Sequence, residues 1–235
     1  MQRILLGLLL LPLAHFALLV TLDTRAVLNP SPEVWESEVK ALERRTSFSP
    51  VGLSPLVVIG GRQAILWRNL ERSLFPLPVV NAGIGSANLD DLIYYFDRLV
   101  QPYAPGAVFY IPSPSDFIGR DNKSPEEFML MLRGLQNYVA RLDGAPHFYL
   151  TPLFKWPRYP EHWQTVEITN TMIAQWAKAN PGVTLVDLRP MFQVANGKPV
   201  AGIFRSDGVN LNDWGYDLMS SIAQAQMEED FPLFY

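Results

Sequence analysis

Chemistry in this chain of 235 residues must be built from few reagents: it holds 3 histidines and 0 cysteines. Thiolate catalysis, disulfides and thiolate zinc sites are therefore excluded. His15 lies within an apolar N-terminal stretch, which leaves His147 and His162 as bases for a folded site. Candidate hydroxyl nucleophiles are Ser86, Ser113 and Ser115, and a hydroxyl attacks only when a base within hydrogen-bond reach takes its proton. His162 sits in KWPRYPEHW, residues 155–163, a loop expected to hang over the ends of the strands; its other reading is a solvated imidazole on a proline-stiffened loop. His147 begins an expected strand at the opposite end. No carboxylate–histidine spacing suits a metal. The segment LVVIGGRQAILW, residues 56–67, reads as a buried strand, a Gly-Gly turn and a helix, a junction at which α/β enzymes often mount a nucleophile. Here the turn after Gly61 presents Arg62, a permanent cation that cannot attack.

The elements that would position these groups are legible from hydrophobic spacing. Runs at 56–60, 78–82, 107–111, 147–153 and 183–188 are short, rich in β-branched and aromatic residues, and apolar on both faces, as in a buried parallel sheet. Between them, Leu89, Leu92, Ile93, Phe96, Leu99 and Val100 keep helical spacing. Ser124, Pro125 and Glu127 form a capping-box start for a helix carrying Phe128, Leu132, Leu135 and Val139. Residues 166–179 form a further helix stopped by Asn180, Pro181 and Gly182, and 214–227 form the last. Ser31 with Pro32 opens an N-terminal helix whose Trp35, Val39 and Leu42 share a face. Strands alternating with helices imply an α/β fold, a three-layer α/β/α sandwich with a flavodoxin-like parallel sheet of about five strands. Ligands in such folds sit beyond the carboxyl ends of the strands.

At those ends, four short blocks resemble the SGNH, or GDSL, hydrolase family. Residues 57–67 resemble its Gly-Asp-Ser block, VVNAGIGS at 79–86 its Asn-x-Gly-x-Gly-Gly block, VFYIPSPSD at 108–116 the place of its Gly-x-Asn-Asp block, and DGVNLNDWGY at 207–216 its Asp-Gly-x-His block. The resemblance implies the family's fold and a site for ester chemistry without a cofactor. It puts Arg62 at the nucleophile, Asn210 at the base, Ser86 at the second-block glycine, and Pro114 or Ser115 at the third-block asparagine. Asp207 alone keeps its side chain, as the residue that orients the base. Gly61, Ser113, Asp116 and His162 complete the candidate pocket. With neither attacking hydroxyl nor imidazole in place, the expected turnover is about 10⁶ below that of an intact serine enzyme. The resemblance thus implies a degenerate hydrolase acting as a binding or accessory module, the alternative being an ester or acetyl-glycan hydrolase using Ser115 or Ser86 with His162. The reading also expects an ion pair between Arg62 and Asp207, each having lost its usual partner.

Composition bounds the remainder. A hydrophobic share of 49%, a charged share of 18% and a net charge of −4 describe a globular chain with an added apolar segment, and lack the basic stripe that nucleic acid requires. Residues 4–22 are almost continuously apolar behind Arg3, longer than the ~7–15 of a signal-peptide core and close to the ~20 of a membrane span. They read as an uncleaved anchor holding the domain on the non-cytoplasmic side, the alternative being a cleaved signal of a secreted or periplasmic protein. The expected organisation is a membrane anchor or signal at 1–24, a linker and helix at 25–54, and the hydrolase-like domain at 55–235. The expected partners are the membrane, through that segment, and an acyl or glycan ligand.

Overall fold

In the computed structural model the described residues are 12–18, 31–46, 54–194 and 196–232. Most of the apolar N-terminal stretch lies outside them. Residues 12–18 are helical and exposed, and no helix among the described residues is long and apolar enough to cross a membrane.

Five strands form one parallel sheet: β1 (Leu56–Gly60), β2 (Val79–Asn81), β3 (Ala107–Ile111), β4 (His147–Leu150) and β5 (Val183–Leu185), in the order β2-β1-β3-β4-β5. The central strands β1 and β3 are buried at every position, which is why LVVIG and AVFYI are apolar without alternation. The edge strands β2 and β5 are half-buried. Register pairs Leu56 with Val79 on one side and with Ala107 on the other. The chain therefore leaves β1 in one direction for β2 and in the other for β3, and the crevice beyond the carboxyl ends of β1 and β3 is the switch point where such sheets bind ligands.

Helices cover both faces. They are α1 (Glu36–Thr46), α2 (Arg62–Ile65), α3 (Leu70–Ser73), α4 (Leu89–Tyr94), α5 (Phe96–Leu99), α6 (Pro125–Ala140), α7 (Trp163–Ala179), α8 (Arg189–Phe192) and α9 (Asp213–Asp230). Helices α4, α6 and α7 pack in succession, and α3 packs on α9. Trp67 joins sheet to helix: its ring lies 5.9 Å from that of Phe109 and its indole donates to Ser220 of α9 at 2.9 Å. Ser124 and Glu127 form the expected capping box of α6.

Four expectations shift. The run at 147–153 leaves the sheet after Leu150, because the backbone of Leu153 turns to the buried amide of Asn170 on α7, donating at 2.8 Å and accepting at 2.9 Å. Apolar pattern does not distinguish a ladder partner from a side-chain partner. Strand β5 likewise ends at Leu185, after which Asp187 holds the start of α8 through Arg189. The helix expected over 89–100 breaks at Tyr95 into α4 and α5, which turns Arg98 onto Glu36 and Glu43 at 2.7 Å each. Ser31 makes no backbone cap; it bonds Glu33, and the chain enters α1 through the 3₁₀ turn Pro32–Trp35.

Candidate functional site

The turn after β1 sets the geometry. A Cβ on Gly61 would lie 2.6 Å from the Ala87 carbonyl oxygen and 3.1 Å from Ser113 Oγ, so glycine allows this turn to touch the loops after β2 and β3 at once. Arg62 then opens α2, exposed, and Gln63 turns inward, 1% exposed.

The loop after β2 is braced from below. Its Gly85 has φ +40, and a Cβ there would fall inside the indole of Trp35; the amide of Gly85 donates to Glu38 at 2.6 Å. Trp35 in turn donates to Asp91 at 2.9 Å, and Asp91 also accepts from Asn88 N at 3.0 Å and pairs with Arg120 in a site where both side chains are almost fully buried. The N-terminal helical segment is thus part of the scaffold that carries Ser86.

These loops enclose a cleft of about 270 Å³. Arg62 and Gln63 line it from β1, Ser86 from the loop after β2, and Ser113, Pro114 and Ser115 from the loop after β3. Arg158 and Tyr159 enter from the loop after β4, and Asp207, Val209 and Asn210 from the loop before α9. The last two loops are tied together, Arg158 N donating to the Gly208 carbonyl at 3.1 Å.

Six of the residues singled out by sequence therefore share one cleft: Arg62, Ser86, Ser113, Ser115, Asp207 and Asn210. The other three stand apart from its surface. Gly61 is buried as the turn itself. Asp116 is fully buried behind Ser113, where its carboxylate accepts from Leu89 N at 2.9 Å and faces Lys123 at 3.4 Å. His162 packs its ring edge-on to Tyr159, 6.3 Å between centroids, and is not among the residues that line the cleft. The loop bearing KWPRYPEHW does reach the site, but the side chains it contributes are Arg158 and Tyr159. The 3₁₀ turn Pro160–His162 carries His162 away from them, and sequence spacing gives no phase in such a loop. Gln63 was likewise not singled out, because nothing in its sequence context reveals a buried amide.

The expected ion pair is absent: among the described residues, neither the exposed Arg62 nor Arg158 is salt-bridged to a carboxylate. Asp207 is satisfied locally. Its Oδ1 accepts from Val209 N at 2.8 Å and Asn210 N at 2.9 Å, and its Oδ2 accepts from the Asn210 amide at 2.8 Å. Partial burial raises the carboxyl pKa, but the donation by the Asn210 side chain and the two backbone N–H groups outweighs it and holds Asp207 below the usual carboxylate range. Three short-range donors leave Asp207 no reason to recruit a guanidinium. Asn210 meets Asp207 as an imidazole N–H would, yet its amide cannot accept a proton near neutrality. Among the described residues no imidazole lines the cleft, and the one histidine–hydroxyl contact, His147 with Thr184 at 2.8 Å, starts from the amino end of β4.

A second polar group lies behind the site. Oxygens of Asp90, Asp116 and Asp121 gather within 4.8 Å, and the ammonium of Lys123 bonds to all three. That ammonium supplies the positive charge the cluster requires. Burial pushes the Asp116 pKa up to about 7 against the opposing charge of Lys123 and the Leu89 N–H.

No family of known sequences and no curated protein matches the chain. Solved structures do. A GDSL-like lipase from Bacteroides thetaiotaomicron superposes with a TM-score of 0.69 at 17% identity, covering 82% of this chain and 98% of that one. The chain has the SGNH/GDSL hydrolase fold. A carbohydrate esterase of family 3 from Talaromyces cellulolyticus shares that fold at TM-score 0.60 and 14% identity, covering 77% of this chain and 100% of its own. So does the C-terminal catalytic domain of Streptococcus pneumoniae peptidoglycan O-acetyltransferase A, at TM-score 0.55 and 16% identity, over 76% and 95% of the two chains. The SGNH fold accounts for the position of the cleft at the strand ends; its chemistry depends on the side chains described above.

Proposed function

We propose that this chain is a non-catalytic binding or accessory module: an SGNH-fold domain over residues 55–235, joined through residues 25–54 to a membrane-directed segment at 1–24 that holds it on the non-cytoplasmic side. The observation that carries the reading is the pairing of Asn210 with Asp207 in a cleft with no imidazole, opposite Arg62 at the nucleophile position. Acyl transfer through a serine needs a base that can take and return a proton, and nothing lining this cleft does so near neutral pH. A glycan fits the lining better than an acyl chain, because the walls are hydroxyls, amides and guanidiniums, with Tyr159 as the aromatic face. Two of the structural relatives are named for carbohydrate or peptidoglycan chemistry, which supports the same class.

The test is labelling of the purified chain with a fluorophosphonate, alongside an assay with a short-chain acetyl ester. The expected result is no labelled serine and no turnover above the buffer rate. Stoichiometric labelling of Ser86 or Ser115 with robust turnover would instead establish the substituted hydrolase that the sequence left open.

A further inference from the structure

We infer that the cleft selects a carboxylated sugar, recognised as a monoanion by Arg62, Arg158 and Gln63. The inference rests on the binding-module reading, and deepens it by naming the ligand chemistry.

Three observations converge. First, Gln63 is 1% exposed and lines the cleft, yet neither its Nε2 nor its Oε1 has a hydrogen-bond partner. A buried amide left unpaired keeps its desolvation cost without the hydrogen bonds that would offset it. A ligand offering both an acceptor and a donor, as a sugar carboxylate with an adjacent hydroxyl does, satisfies both ends. Second, the lining carries two guanidiniums without a salt bridge among the described residues, Arg62 and Arg158, while the single carboxylate, Asp207, is already saturated by Asn210 and Val209. The local charge left over is one positive charge, which suits a carboxylate better than a phosphate dianion, and guanidinium forks match the planar carboxylate geometry. Third, the Arg158 guanidinium lies 5.8 Å from the Tyr159 ring centroid, so a cation and an aromatic face stand side by side, and Ser86 and Ser115 offer hydroxyls with no partner among the described residues. A sugar acid presents a charged edge, an apolar ring face and hydroxyls, and each has a counterpart here. The cleft, at about 270 Å³, suits a single sugar residue in place of a buried acyl chain.

The experiment is isothermal titration of the full chain with D-glucuronate, trigalacturonate, methyl glucuronate, D-glucose, acetate and inorganic phosphate. A sugar carboxylate, free or within the oligomer, should bind at least about tenfold more tightly than methyl glucuronate, glucose or acetate, since a charge-assisted hydrogen bond is worth ~1.5–3 kcal/mol. The free and oligomeric probes separate a small-molecule ligand from an acidic polysaccharide. Arg158→Gln and Arg62→Gln, both at exposed positions, should each weaken glucuronate about tenfold and flatten its salt dependence. Gln63→Met, a change of similar volume, should weaken it while leaving the thermal midpoint unchanged or raised, because an orphaned amide has been removed. Equal affinity for glucuronate and glucose, tighter binding of phosphate or acetate than of glucuronate, or no binding of either sugar acid would each overturn the inference. Those results leave the labelling experiment untouched, and a labelled serine would end the binding-module reading without altering the carboxylate selectivity measured here.

Discussion

Replacing Gly85 by alanine tests whether the N-terminal helical segment is part of the site's scaffold. The new Cβ would fall within the Trp35 ring, at several of its carbons, so no small rotation relieves the overlap. The ring is also held by its bond to Asp91. The indole must leave its seat, where it is 5% exposed, or the loop must move away from the Glu38 carboxylate that receives the Gly85 N–H. Loss of a buried large aromatic costs ~3–5 kcal/mol. Asp91 keeps Arg120 and Asn88 N as partners, so the lost indole bond adds little, and the positive φ adds about 1 kcal/mol. The expected cost of Gly85→Ala is about 4 kcal/mol, a large part of a typical ~5–15 kcal/mol stability. Urea unfolding of wild type, Gly85→Ala, Trp35→Ala and the double variant measures it. In the Trp35→Ala background only the strain of the positive φ remains, so the two changes should couple by about 3 kcal/mol. Additive effects, or a Gly85→Ala cost within about 0.5 kcal/mol of zero, would falsify the scaffold argument.

Two further outcomes follow from the site. Restoring Arg62→Ser and Asn210→His should yield no measurable ester turnover by itself, although the Asp207 carboxylate is already placed to receive the imidazole N–H; adding Ser115→Asn, to supply the third-block donor, should bring it above the buffer rate, and strong turnover in the double variant alone would show that this donor matters less than argued. The second outcome concerns pH. Asp116 carries a folded-state pKa of about 7 against 3.8 for the free group, chiefly through burial. Between those values the folded chain holds a proton that the unfolded chain has released, so this group makes stability fall as pH rises through that window. Asp116→Asn should flatten the slope of the urea midpoint against pH there, and an unchanged slope would assign it to other groups.

The sheet was readable because burial on both faces writes a continuous apolar run, and LVVIG and AVFYI begin and end where their strands do. The ends of β4 and β5 were not, since Leu153 and Asp187 exchange ladder bonds for Asn170 and Arg189, partners that pattern does not reveal. The site divides in the same way. Residues fixed by blocks of motif, Arg62, Ser86, Ser115, Asp207 and Asn210, meet in space because the first three blocks follow the ends of β1, β2 and β3, while the last is tied to the loop after β4 through Arg158 N and the Gly208 carbonyl. Residues on the proline-rich loop could not be phased, and His162 was singled out where Arg158 and Tyr159 reach the cleft. The expected Arg62–Asp207 pair overlooked how fully two backbone N–H groups and one amide satisfy a carboxylate within four residues of chain.

With the Asn210 amide paired to Asp207 and no imidazole among the described lining residues, the cleft has no proton switch near neutral pH. Arginines stay charged at every accessible pH, amides and hydroxyls do not titrate near neutrality, and Asp207 is held below its ordinary range, so the lining has a fixed charge from mildly acidic to mildly alkaline conditions. An active serine esterase loses its base on acidification. A cleft built this way holds one charge state across that range.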